Sequence, residues 1–261
     1  MRLPASVRHL AGSVLGRASL RVRGGPNRGL RWSISSSGRG YIRGSFEVER
    51  IGRLLRLAPP GALVWDVGAH KGYVALALAR AVGADGHVVA VEPAPDNLRL
   101  LRRHLQWNHI RNTRVIEAAV GAVEGTAFFG GDGSSIAYHI GGGDLPVRLT
   151  TLPAMMPESG ARAPDLLKLD VEGEEARALA AAGAALGDHT AVCVAVHSPA
   201  LYQECAEVLR GRGLRVLRSK AIETWRQGAA WQGDPDLVGL GPAHPRRHGQ
   251  VHDLGLQDDV S

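Results

Sequence analysis

The chain has 261 residues, 44% of them hydrophobic and 21% charged, which is enough to bury one full core and too ordinary in balance for a disordered chain. No apolar run approaches the roughly 20 residues of a membrane helix, arginines at 8, 17, 21 and 23 interrupt any secretory apolar segment, and Cys193 and Cys205 show neither disulfide nor metal spacing, so a cytoplasmic protein without a membrane partner is expected. The net charge of +6 is uneven, because the first 60 residues hold 12 arginines against Glu47 and Glu49, a balance of +10, and the rest of the chain carries −4.

Residues 1–45 therefore read as a basic N-terminal arm, suited to an acidic or nucleotide-linked small molecule, with a solvated face as the other reading. No aromatic-interleaved basic surface accompanies it, so nucleic acid is not the expected partner. Within the arm, "VRGGPNRGLRWSI" predicts two short strands around a Gly/Pro/Asn turn. Phe46, Val48, Ile51, Leu54, Leu55 and Leu57 then recur at near-helical spacing, and Pro59, Pro60 and Gly61 end that helix. From "ALVWDVG" onward, strand and helix patterns alternate: "YVALALARAVG", "HVVAVE", "PDNLRLLRRHLQWN" and "RVIEAAV" follow in turn. This pitch predicts a parallel sheet covered on both faces.

A Gly-rich insert over 122–164 reads as a lid or a mobile connection. The alternation resumes with "DLLKLD", "EEARALAAA", "TAVCVAVH" and "SPALYQECAEVLRGRG", where Ser198 suits an N-cap and Pro199 the first helical position. "LRVLRS" and "DLVGLG" supply two final strands. The domain spans 46–241, and 242–261 reads as a disordered tail. Trp225 and Trp231, in "TWRQGAAWQG", fit either a sugar-stacking loop or core packing.

The loop "VWDVGAHKGYV" places Asp66, Gly68, Ala69, His70 and Gly72 where the first sheet strand turns into a helix, a position at which ligands bind doubly wound sheets. A dinucleotide fingerprint requires glycine where His70 stands. An acid in the loop suits a cationic ligand, which favours S-adenosylmethionine over NAD. Glu92, followed by Pro93, ends the second strand, where an acid accepts ribose hydroxyls. Glu117 and Ala118 end the third, where an adenine ring would rest. The alternatives are that Asp66 caps a helix and Glu92 pairs with an arginine.

The stretch "DLLKLDVEGEE" puts Lys168 and Asp170 on one face of a strand end, as an ion pair that keeps the carboxylate charged. Asp170 is the first candidate for a general base, with Glu172 and His197 next. Metal dependence is not expected.

These motifs, "YIRGSFE", "VWDVGAHKGY", "VVAVEPAPDNL", "LTTL" and above all "LLKLDVEGEEARAL", resemble the FkbM family of S-adenosylmethionine-dependent methyltransferases. The resemblance runs from about Gly44 to Arg218. It implies a class I, Rossmann-like α/β fold with a seven-stranded, mostly parallel sheet flanked by helices. It also implies O-methylation of a small-molecule hydroxyl, commonly on a sugar or natural-product scaffold. Three positions depart from the family pattern: His70 for Asn, Ala195 for an acid, and Pro153 for Asp. Methylation of RNA or protein, or a non-catalytic cofactor-binding module, are the competing expectations.

Overall fold

A sheet buried on both faces needs strands that are apolar at nearly every position, and the central runs "LVWDV", "HVVAV" and "AVCVA" are of this kind. The structure, a computed structural model, describes residues 18–36, 38–130, 139–140, 143–232, 235–249 and 251–259. The first 17 residues of the expected arm lie outside the described residues.

What is described of the arm is folded. Strands β1 (Ser19–Arg21) and β2 (Arg31–Ser33) form an antiparallel hairpin, followed by the short helix α1 (Arg39–Arg43) and by α2 (Val48–Leu57). Trp32 anchors the hairpin, 1% exposed and stacked 3.8 Å from the His104 ring.

The alternating region follows as β3 (Leu63–Val67), α3 (Tyr73–Val82), β4 (His87–Val91), α4 (Pro95–Trp107) and β5 (Thr113–Ile116). The insert forms β6 (Ala119–Val120), β7 (Gly125–Gly130), β8 (His139–Ile140), β9 (Leu145–Thr150) and α5 (Leu152–Met155). The chain then continues as β10 (Leu166–Leu169), α6 (Glu175–Ala180), β11 (Ala191–Ala195), α7 (Pro199–Gly211), β12 (Arg215–Ser219), α8 (Lys220–Arg226), β13 (Asp236–Leu240) and β14 (Leu256–Asp258). Ser198 caps α7 as expected, accepting the Leu201 N–H at 3.1 Å with Pro199 in the first turn.

The main sheet runs β5-β4-β3-β10-β11-β13-β12-β14. The pairs from β5 to β11 are parallel and the last three are antiparallel. Side-chain alternation splits the core across it: Val64 packs with Ile51, Leu76 and Leu101 on one face, while Trp65 and Val67 pack with Leu179, Cys205 and Leu209 on the other. No described helix is long and apolar enough to cross a membrane.

Three expectations change. The sheet has eight strands rather than seven, because the segment read as a tail returns and β14 pairs with β12. That segment carries only three strand residues, yet Leu254 and Leu256 are each 1% exposed and supply the burial that holds it. The insert, where described, builds a second sheet of order β6-β9-β7-β8. Trp225 and Trp231 pack edge-to-face at 5.3 Å against the second core cluster.

Strand order reverses between β3 and β10. Successive crossovers travel outward from β3 through β4 to β5, and the later strands return on its other side. A crevice opens at such a switch point, outside the carboxyl ends of the strands.

Candidate active site

That crevice holds a cavity of ≈ 280 Å³, near the lower end of small-molecule sites. Its walls come from the ends of β3, β4 and β10, the start of α4, and the segment around α1 and α2. Gly68, Ala69, His70, Glu92, Pro93, Ala118, Lys168, Asp170 and Glu172 of the sequence-derived candidates line it.

The first wall depends on a glycine. Gly68 has φ +78, and a Cβ there would lie 1.8 Å from the Asp170 carbonyl oxygen, so only glycine lets the β3 turn approach the end of β10 this closely. Gly72 also has positive φ, but its missing Cβ makes room for Leu101 of α4, a packing role away from the cavity.

The next residue but one, His70, takes φ 51 and aims its N–H at Glu92 Oε2, 2.9 Å away. Glu92 Oε1 accepts the Ala94 N–H and the Asn97 side-chain amide, each at 3.0 Å. Burial raises the Glu92 carboxyl above its usual range, and the three donors oppose the rise. Asn97 is 3% exposed, and its Oδ1 has no hydrogen-bond partner among the described residues although it belongs to a residue lining the cavity. A buried orphan acceptor costs roughly 1–3 kcal/mol, so a ligand hydroxyl or amine is its natural complement.

The opposite wall is an ion chain. Lys168 Nζ lies 3.2 Å from Asp66 Oδ1 and 3.6 Å from Asp170 Oδ2, and donates to the Gly68 carbonyl at 2.7 Å. Burial works against its charge, but Asp66 and Asp170 outweigh that and push the ammonium up, so it stays a cation. The Arg50 guanidinium on α2 continues the chain: Nε meets Asp236 at 2.8 Å, and Nη1 lies 3.5 Å from Asp170 and 3.4 Å from Glu47. Arg53 closes the chain on the same Asp236. Burial alone would raise the Asp170 carboxyl, but Lys168, the His197 hydrogen bond and Arg50 together hold it well below the usual carboxylate range.

His197 sits behind Asp170 rather than in the cavity wall. Its Nε2 lies 3.3 Å from Asp170 Oδ1 and 3.2 Å from Glu175 Oε1. Asp170, Glu175 and His197 thus each offer a metal-ligand atom, all within 4.8 Å of one another, a grouping the sequence reading did not foresee. Both Glu175 oxygens accept backbone N–H groups, of Val171 at 2.8 Å and Gly173 at 2.9 Å. Asp170 already faces Lys168 and Arg50 as fixed cations, so the cluster reads as a brace for the strand end.

Besides Gly72 and His197, two more candidates lie elsewhere. Asp66 is fully buried and the positive group its carboxylate meets is Lys168, not a ligand in the cavity. Glu117 is half-exposed and pairs with Arg102 on the surface, because the side chain after β5 points away from the crevice. Conversely, Glu47, Arg50, Phe46, Tyr41 and Asn97 line the cavity without having been singled out. Tyr41, Phe46 and Glu47 lie in "YIRGSFE" and Asn97 in "VVAVEPAPDNL", motifs that carried the resemblance without giving these residues a role. Arg50 and Glu47 are charges beside an apolar helix face, and Asn97 sits five residues after the strand-ending acid.

Residues 66–227 match the family model described as Methyltransferase FkbM domain. No curated protein sequence matches the chain as a relative. Among solved structures, a precorrin-6y C5,15-methyltransferase from Geobacter metallireducens is similar at 15% identity and TM-score 0.50, over 78% of this chain and 91% of that one. A putative rRNA methylase from Clostridium thermocellum aligns at 14% identity and TM-score 0.50, over 74% and 93% of the two chains. A methyltransferase FkbM from Methylobacillus flagellatus aligns at 19% identity and TM-score 0.48, over 69% of this chain and 43% of that one.

Proposed function

The chain belongs to the FkbM methyltransferase family, with S-adenosylmethionine as its methyl donor, and from that premise we propose that it O-methylates a hydroxyl of a small molecule, a sugar or natural-product scaffold. The observation that carries this reading is the cavity wall opposite Glu92. There Asp170, Glu47 and Arg50 bring two carboxylates and a guanidinium together around one opening, a set that orients a hydroxyl and receives its proton.

The residues present fit the donor. Glu92 and the orphan Asn97 Oδ1 would accept the ribose hydroxyls, Ala118 would face the purine, and the Gly68–His70 turn with Pro93 would flank the remainder. The bound sulfonium supplies a methyl carbon already activated for in-line displacement. What the protein adds is alignment and exclusion of water.

Asp170, fixed as an anion, holds the Arg50 guanidinium at the cavity wall, from where it donates to the acceptor oxygen. Lys168 keeps that carboxylate charged and takes no proton itself, Asp66 fixes Lys168 from behind, and His197 and Glu175 brace Asp170. Glu172, at φ 56 on the cavity rim, contacts the acceptor from outside. The reading places the protein in the cytoplasm, in keeping with the two free, buried cysteines.

The test is incubation with S-adenosylmethionine and a panel of methyl glycosides, polyols and phenols, read by mass spectrometry. The expected product carries one added methyl as an ether. Methylation of ribosomal RNA or protein with none of the panel touched would overturn the reading.

A further inference from the structure

Glu47 is the residue from which α2 starts, yet its carboxylate makes no capping bond to that helix. Its backbone lies at φ 44, ψ 37, the left-handed region that is costly for any residue with a Cβ and for which Asn, Asp or Gly is the ordinary choice. A residue serving only the helix would be one of the short capping types. Instead a long carboxylate is held there, and it lines the cavity. Its charge meets Arg50 Nη1 at 3.4 Å, a looser contact than the 2.8 Å between Arg50 Nε and Asp236. The same Nη1 lies 3.5 Å from Asp170, so the two carboxylates flank one guanidinium nitrogen at the cavity wall.

We propose that Glu47 is the general base of the methyl transfer, taking the proton of the acceptor hydroxyl while Arg50, held between Glu47 and Asp170, donates to the hydroxyl oxygen and keeps it in line. The inference rests on the hydroxyl-acceptor reading above. The acceptor oxygen bonds to the methyl carbon, the carbon–sulfur bond breaks with its electron pair left on sulfur, and the hydroxyl proton passes to a Glu47 carboxylate oxygen.

The division of labour follows from surroundings. Asp170 is pinned as an anion by Lys168, His197 and Arg50. Burial pushes the Glu47 carboxyl up, Arg50 of α2 and Lys168 of β10 pull it back, and Asp170 and Asp236, at the ends of β10 and β13, push it further. The balance lies above the ordinary glutamate value, while Asp170 is held below its own, so Glu47 is the stronger base of the two. Left-handed strain at a cavity residue is also where a fold gives up stability for function.

Three measurements test this. Glu47→Asn puts a readier left-handed residue at the same site and should cut methyl transfer at least ~100-fold. Glu47→Gln keeps the shape and should leave S-adenosylhomocysteine affinity unchanged, with kcat down at least ~100-fold and KM for the acceptor little altered. Carbon-13 NMR of the Glu47 carboxyl in the S-adenosylhomocysteine complex, assigned by its loss in Glu47→Gln, should give a midpoint above the ordinary glutamate value.

Methyl transfer in Glu47→Asn within tenfold of wild type overturns the proposal. So does full turnover in Glu47→Gln, or a carboxyl that titrates at or below the ordinary value. If no hydroxyl of the panel is methylated, the acceptor reading falls by itself, and the titration still decides whether Glu47 presents a carboxyl raised above the ordinary value.

Discussion

His104 shows how burial alone can set a residue's chemistry. It is fully buried on α4, with Nδ1 2.8 Å from the Lys71 carbonyl and Nε2 accepting the Ser33 N–H at 3.1 Å. Burial lowers its pKa to about 4 from the ordinary 6.5, with Arg103 and Lys71 adding repulsion against the Lys71 carbonyl's opposing pull. The ring is therefore neutral in the fold and titrates normally once unfolded. The stability it contributes is complete above about pH 6.5 and lost as the pH falls toward 4. A shift of this size is worth ~3 kcal/mol. Urea midpoints measured from pH 7 to 4.5 should fall less steeply in His104→Gln than in wild type, and equal slopes would show that other groups carry the acid sensitivity. Nothing in "RRHLQWN" marks this histidine as buried. Its neutral state depends on Trp32 and Ser33, 71 or more positions away in the chain.

At the scale of elements, the C-terminal strand is fastened by a buried carboxylate beside the exposed pair of Asp258 with Arg215. Asp259 follows β14, and its buried side chain pairs with Arg210 at 2.5 Å and with Arg218 and Arg226 at 2.9 Å each, and accepts the Tyr202 hydroxyl at 2.7 Å. These partners come from α7, β12 and α8, so the contact ties the sheet edge to the layer above it. Removing one member of a buried ion cluster leaves the others uncompensated, at about 3–5 kcal/mol. Asp259→Ala should lose stability on that scale in equilibrium denaturation, whereas a loss under ~0.5 kcal/mol would mean that the apolar contacts of Leu254 and Leu256 hold the strand alone.

The same elements show where the sequence was legible. Strands β3, β4, β10 and β11 are fully apolar or nearly so, and each is long enough to announce itself. β14 has three residues in an acidic, glycine-containing context, and its pairing exists only because β12 presents an open edge. The insert was legible as irregular but not as a sheet, because its pairs join strands separated by loops whose lengths no local pattern specifies.

For the molecule as a whole, the cavity walls come from both halves of the sheet and from the N-terminal segment, so a ligand there couples all three. A ligand that binds only the native state at 100 times its Kd adds about 2.7 kcal/mol. Saturating S-adenosylhomocysteine should therefore raise the melting temperature in a single transition, and Glu92→Gln, which loses a buried carboxylate facing the cavity, should lose most of that rise. An undiminished rise in the variant would remove Glu92 from the cofactor contact.

The sequence by itself determined the doubly wound class, the alternation of β3 to β5 and of β10 and β11 with their helices, the family, and the loop and strand ends that line the cavity. Those properties are written in local periodicity and in glycines and acids at strand termini, and each depends on neighbours within a few residues. Only the tertiary structure decided which charges face the cavity. It turned Asp66 inward onto Lys168, sent Glu117 to the surface, and brought Glu47 and Arg50 from α2 against Asp170, 120 positions further on. A side chain's direction at a strand end, and the partner that neutralises it, depend on packing between distant elements, and that packing is set by the whole core rather than by any stretch of chain.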